Sequence, residues 1–563
     1  MALAWCKLSA RVSISTPIVG GKSATGEPYR MFYPRDRNDD WLWTGSLITP
    51  IVASQISSYK APLTARQLNI VKNSKTIKII FGLLTLGCGV ITTAEAAPAL
   101  ADNTLTLTTC ELAVPGTPLT EMAECGWYEM PENPDEPDGR TIRLRVARVP
   151  ATGRSPEPDP LIFFAGGPGQ AATESWPIIS GAIRKIKENR DILLVDQRGT
   201  GQSNPLKCPQ VELEEALGLD WDDLGRATKE CLDSLDADPR FYTTTIAMHD
   251  VHAVSLALGY EQVNLFGGSY GTRAAQVYLR LFPEQVRSVV LDGVVPQTLA
   301  LGSEHALKLD QAIYRVLANC DLDPQCGELF PDSAGKLREL IQVLDEAPVE
   351  LEVIHPSTGK PVNLTFNRDV LGSSLRFLTY SPESQAMLPL LIYEAASTGN
   401  LERLASQMLI AAGGLQESIS QGMEMSVVCA EDVPFFDPQD ENSGLLLGNA
   451  MTRASRIQCE IWPRGPMPDN FHEPVSSDVP VLLLSGELDP VTPPEYAESV
   501  AQHFPNSRHL VAPGQAHIVT TRGCMGKLVT EFIINAGFEI LETDCIAQMQ
   551  PSPFFISLTG PTP

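Results

Sequence analysis

From residue 141 the chain alternates. Ile142, Leu144, Val146 and Val149 are apolar, and Arg143, Arg145 and Arg148 lie between them. A period of two over nine residues predicts a half-buried antiparallel strand at a sheet edge. The runs 161–164, 192–195, 263–266, 286–291 and 479–484 are apolar almost throughout, and 508–511 reads as a last strand. They are too short for buried helices, and most run into glycine-rich loops, so they read as strands covered on both faces. Residues 246–258 carry apolar positions at helical spacing. So does the stretch after 269, with Ala274, Val277, Tyr278 and Leu281 before Pro283 stops it. Short apolar strands alternating with helices imply a mostly parallel sheet with helices on both faces. From 297 to 478 the rhythm becomes mainly helical, for example over 335–344 and 387–412, with one strand-like patch at 349–354. This predicts an inserted cap. The expected division is a core in two parts, 102–296 and 479–563 (the latter with a C-terminal tail), around a cap at 297–478.

Residues 1–101 read as a leader. Lys72, Lys75 and Lys78 precede the apolar run 79–91, and small residues follow, with Ala94-x-Ala96 or Ala99-x-Ala101 as cleavage sites. This is the basic, apolar and small-residue order of a secretory signal peptide over about 72–96, absent from a mature chain. The run is too short for a stable membrane span. A lipid-modified Cys88 is disfavoured because Thr85 stands where Leu is usual. The signal begins far from residue 1, which fits a start assigned too far upstream. An unusually long leader is the alternative.

Cysteine usage agrees with export. Of 12 cysteines in 563 residues, ten lie beyond the leader, scattered in near pairs. Such an even set reads as disulfides formed in an oxidising compartment, periplasmic or extracellular. Sequential pairing is expected: 110–125, 208–231, 320–326, 429–459 and 524–545. No Cys-x-x-Cys spacing or histidine cluster suggests a metal site, and no cofactor is implied. The formal net charge of −26, with no basic patch, argues against a nucleic-acid partner. Oligomeric state leaves no mark in the sequence.

The chemistry gathers at the strand ends, where ligands bind in such sheets. Strand 263–266 runs into Gly267-Gly268-Ser269-Tyr270-Gly271 and then a helix, the strand, turn and helix of a nucleophile elbow. A serine hydroxyl needs a base, and the base needs an acid to orient it. Asp489 and His517 each follow a later strand and complete the chain order Ser, Asp, His. His249, His252, His305, His355, His472, His503 and His509 compete with His517, but only His517 sits in a glycine-led loop after the last strand. Glu487 and Asp292 compete with Asp489. An oxyanion would be met by the backbone N–H groups of Tyr270 and Gly167, the latter in the Gly166-Gly167-Pro168-Gly169 loop.

These motifs carry a resemblance. Gly166-Gly167-Pro168-Gly169, Asp196-Gln197-Arg198-Gly199-x-Gly201-x-Ser203, Gly267-Gly268-Ser269-Tyr270-Gly271-Thr272, Gly486-x-x-Asp489-x-x-Thr492-Pro493 and Gly514-x-x-His517 resemble serine peptidase family S33 of the α/β-hydrolases. Proline iminopeptidases and tripeptidyl aminopeptidases belong to it. Cys429-Ala430-Glu431-Asp432 and Cys459-x-x-Trp462-Pro463 resemble the tripeptidyl members. Ala165 departs from the His common in proline iminopeptidases, which bears on proline specificity more than on catalysis. The resemblance implies an α/β-hydrolase fold with an inserted helical cap, and hydrolysis of peptides from a free amino terminus. Acidic groups would then meet the substrate ammonium, with Glu431 and Asp432 as candidates. Arg198 and Asp196 read as structural. A carboxylesterase using the same triad, and a non-catalytic binding protein on this scaffold, are the competing expectations.

Overall fold

In a computed structural model the described residues are 105–209, 221–438 and 442–561. The chain divides into two units, Met1–Ala94 and Glu95–Pro563. The expected signal peptide lies outside the described residues. The second unit is built on a nine-stranded sheet of order β1-β2-β3-β5-β4-β6-β7-β10-β11. Its strands are β1 (Thr108–Ala113), β2 (Thr120–Pro131), β3 (Thr141–Val149), β4 (Leu161–Phe164), β5 (Ile192–Val195), β6 (Val263–Gly268), β7 (Val286–Asp292), β10 (Val481–Gly486) and β11 (Ser507–Ala512). The six strands from β5 to β11 in this order pair in parallel, and β1, β2 and β3 add an antiparallel flank.

Why the parallel strands are apolar throughout is visible in their packing. Ile162, Phe164, Leu265, Val289, Leu291 and Leu483 enter one core, with helices Thr244–Ala257 and Tyr270–Leu281. Their neighbours Leu161, Phe163, Phe266, Val290, Leu482 and Leu484 enter a second core. Helices Ala172–Ser180 and Met525–Asn535 close it from the other side. Successive side chains point to opposite faces, and both faces are covered.

β3 corrects one expectation. It is antiparallel to both neighbours, but it is not the edge, because β2 lies between it and β1. The edge hairpin carries Glu111, Glu121, Glu124 and Glu129, so its pattern is broken by charge, and the 110–125 disulfide ties its strands together.

Between β7 and β10 the chain leaves the sheet and builds its own core. Leu309, Ile313 and Leu317 of helix His305–Leu322 meet Leu337, Leu340 and Leu344 of helix Ser333–Glu346. Leu371 and Leu375 of helix Arg368–Leu378 complete the contact. The strand-like patch at 349–354 is β8 (Val349–Ile354), and it pairs with β9 (Pro361–Phe366), which the sequence reading had not assigned. The long helical stretch expected over 387–412 is two helices, Leu388–Thr398 and Glu402–Ser418. Gly399 divides them with φ of 72°, the left-handed turn that ends a helix. All five cysteine pairs join in sequential order, with Cα–Cα separations from 4.7 to 6.4 Å.

Candidate active site

Ser269 stands between β6 and helix Tyr270–Leu281, with φ 55° and ψ −126°. A non-glycine residue there is uncommon, and its surroundings explain how the turn is held. Its N–H donates to the Asp292 carbonyl at 2.9 Å, and Thr272 returns its N–H and hydroxyl to the Ser269 carbonyl at 2.8 and 2.7 Å. The flanking glycines have no alternative. A Cβ on Gly267 would lie 2.2 Å from the Gly271 carbonyl oxygen, and one on Gly271 would lie 2.1 Å from that of Phe164. Among the described residues no acceptor takes the N–H of Tyr270 or of Gly167. Both residues line the same cavity as Ser269.

That cavity has a volume of about 480 Å³, within the roughly 300–1,000 Å³ usual for small-molecule sites. Its wall is shared by sheet-end loops (Gly166, Ser269, Thr492, His517) and cap residues (His305, Arg376, Tyr380, Glu424). His517 reaches it from the loop after β11. Its Nδ1 is 2.8 Å from Asp489 Oδ2 and 3.1 Å from Thr492 Oγ1. Asp489 is enclosed. Its Oδ1 accepts the N–H groups of Val491 and Thr492 at 2.9 and 2.8 Å, and its Oδ2 accepts the Thr492 hydroxyl at 2.8 Å. Burial alone would raise the Asp489 carboxyl, but the His517 charge and these hydrogen bonds outweigh it, and its pKa is lowered. For His517, burial pulls downward, and the Asp489 charge and hydrogen bond more than reverse it, so its pKa is raised.

The histidine loop is held from several sides. Asp292 accepts the N–H groups of Val519 and Thr520 and the Thr520 hydroxyl, at 2.7 to 3.1 Å. The rival acid therefore anchors the loop rather than the imidazole. The cap contributes as well. The Tyr380 carbonyl accepts the His517 N–H at 3.3 Å, and Gln385 Nε2 donates to the Leu488 carbonyl at 2.9 Å, next to Asp489. Gly293 leaves room for the imidazole, since a Cβ there would meet His517 Cε1 at 3.1 Å.

The acidic pair expected to meet a substrate amine lies elsewhere. Glu431 and Asp432 are fully buried, and neither lines the cavity. Glu431 accepts the N–H and hydroxyl of Thr244 at 2.7 and 2.8 Å. Burial, with Asp432 nearby, pushes its carboxyl pKa up to about 8. Asp432 is paired with the equally buried Arg273 at 2.8 Å. The pair ties the cap helix Gln421–Glu431 to the core. The acid that does line the cavity is Glu424 of the same helix. Its side chain is accessible from the cavity. Enclosure nevertheless raises its pKa, with the charge of Arg376 pulling back. It stands seven residues before Glu431, two helical turns away. Arg198 is buried and bidentate to Asp250 at 2.6 and 2.7 Å, and Asp196 accepts the N–H and hydroxyl of Thr173 at 2.9 and 3.0 Å. Both hold loops. Among the described residues no cluster could hold a metal ion, and no helix is long and apolar enough to cross a membrane.

Residues 159–520 match the family model described as alpha/beta hydrolase fold. Serine protease Hip1 of Mycobacterium tuberculosis is 24% identical over 463 residues, covering 76% of this chain and 88% of that protein. Tripeptidyl aminopeptidase of Streptomyces coelicolor is 25% identical over 466 residues, covering 77% and 85%. A solved proline iminopeptidase of Mycobacterium smegmatis aligns at 16% identity with a TM-score of 0.39, over 73% of this chain and 98% of that one. The chain belongs to the α/β-hydrolase fold family, as a serine hydrolase whose relatives at this distance are named serine protease and tripeptidyl aminopeptidase.

Proposed function

We propose that the protein is an exported serine aminopeptidase of the proline iminopeptidase or tripeptidyl aminopeptidase type. The observation that carries this reading is the His517–Asp489 hydrogen bond at the wall of the cavity that Ser269 enters from its elbow. Ser269 attacks the peptide carbonyl while His517 takes its proton. Asp489 keeps the proton on Nδ1 and steadies the imidazolium. The N–H groups of Tyr270 and Gly167 meet the oxyanion, helped by the positive end of the helix that begins at Tyr270. His517 returns the proton to the leaving amine, and water releases the acyl fragment by the reverse path.

Selectivity for a free amino terminus requires an anion at the far end of the acyl pocket, and Glu424 replaces Glu431 and Asp432 in that role. Export, to the periplasm or beyond, is supported by the five disulfides and by the basic, apolar and small-residue order of 72–96. Peptidyl arylamides with free and acetylated amino termini, tested beside short acyl esters, check the reading. Faster cleavage of the free-amine arylamides is expected. Turnover of esters alone would make the protein a carboxylesterase, and equal cleavage of free and acetylated substrates would remove the amine anchor.

A further inference from the structure

Arg376 lines the cavity with Ser269 and His517. Its guanidinium lies over the Tyr380 ring, 5.7 Å from the centroid, and that ring meets the His517 imidazole edge-on at 5.4 Å. The cation is thus one aromatic ring away from the base. Among the described residues it forms no ion pair, and its Nε is buried without a hydrogen-bond partner. Arg190, Arg198 and Arg273, which are more deeply buried than the half-buried Arg376, are each paired with a carboxylate, of Asp159, Asp250 and Asp432 respectively. A guanidinium cannot shed its proton to escape burial. At the cavity wall, half-buried and without an ion pair, it stays charged and available to an anionic ligand.

The neighbours do not supply that anion. Glu424 feels the charge of Arg376 but makes no ion pair with it. His305, also on the wall, is pushed down to about 3 by burial and by the charges of Arg376 and His517, so it stays neutral. Its Nδ1 has no hydrogen-bond partner either. The half-buried Arg376 side chain at the cavity wall, packed over the Tyr380 ring and without an ion pair among the described residues, offers a planar fork to an anion entering the cavity.

We propose that Arg376 is a specificity-determining residue that binds a carboxylate of the peptide substrate, so that peptides carrying a negative charge near the cleaved bond are preferred. This rests on the aminopeptidase reading and adds to it a second anchor of opposite sign to Glu424. The carboxylate has two sources, the α-carboxylate of a short leaving fragment or an Asp or Glu side chain.

The test uses the full-length protein and free-amine peptides. Tetra-alanine is compared as free acid and as carboxamide, and Ala-Ala-Ala-Asp amide is compared with its Asn isostere. In the wild type, kcat/KM favours the acid in at least one comparison by about tenfold to a hundredfold. The comparison that responds identifies the source. The preference falls to about one in Arg376→Gln and survives in part in Arg376→Lys. A wild-type ratio near one in both comparisons overturns the proposal, as does a preference undiminished in Arg376→Gln. Should Arg376→Gln fail to fold, the wild-type ratios decide, since a charge contact must weaken as salt is added. Failure of the underlying reading looks different: no peptide is cleaved and a fluorophosphonate leaves Ser269 unlabelled.

Discussion

Asparagine at 489 keeps the shape of the acid and removes its charge. Asp489 Oδ1 faces two backbone donors, the N–H groups of Val491 and Thr492. An amide NH2 turned toward them would set donor against donor. The asparagine oxygen is therefore held on that side, and its NH2 must face His517 Nδ1, where Oδ2 now accepts at 2.8 Å. A donor there forces the neutral imidazole to place its proton on Nε2, the nitrogen that has to receive the serine proton. The expected loss in kcat is about 10⁴-fold, or about 5 kcal/mol of transition-state stabilisation. Because two backbone hydrogen bonds survive, the variant should fold, with a Tm close to that of the wild type. Stopped-time assays of a free-amine peptidyl arylamide, with Tm as the folding control, measure both quantities. An Asp489→Asn protein that is folded and retains activity within about tenfold of the wild type would refute the role of Asp489 and with it the tautomer argument.

Three further outcomes follow from the same geometry. Asp489 raises the His517 pKa, so the acid limb of the kcat/KM profile should lie above the ordinary histidine value of about 6.5; a limb well below that value would contradict the pairing. In Gly293→Ala the new methyl would press on His517 Cε1 and Thr492 Oγ1, each at 3.1 Å, in a backbone with φ of 69°. Activity should fall by about 10²-fold through misplacement of the imidazole, with a lower Tm, both read from steady-state kinetics and melting curves. Glu424→Gln should raise KM for free-amine peptides while narrowing their advantage over acetylated ones; an undiminished advantage would return the amine anchor to some other group.

Legibility in the sequence followed burial. β4 to β7 and β10 are covered on both faces, so each announces itself as a short apolar run. The loops at their ends are fixed by glycines whose Cβ would collide with backbone. The elbow, Asp489 and His517 were readable for that reason. β1 and β2 were not, because glutamates interrupt their apolar positions on both faces, and a disulfide ties the two strands together. The amine-binding expectation named two residues that do not line the cavity, whereas Glu424 of the same helix does. Glu431 and Asp432 stand beside a cysteine and draw the eye, yet both are taken by Thr244, Arg273 and Leu301. Glu424, Arg376 and His305 lie in helices whose pattern records only which face packs. That their tips share a cavity with Ser269 depends on how the cap docks, a long-range fact that local periodicity does not carry.

The central claim is that Ser269 is an activated nucleophile, and covalent labelling tests it most directly. The folded protein should be treated with a fluorophosphonate and its digest mapped by mass spectrometry. One adduct on Ser269 is expected, forming faster as His517 loses its proton and nearly abolished in His517→Ala. Folded protein that takes no label, or takes it on another serine, or labels as fast without the imidazole, would contradict the account.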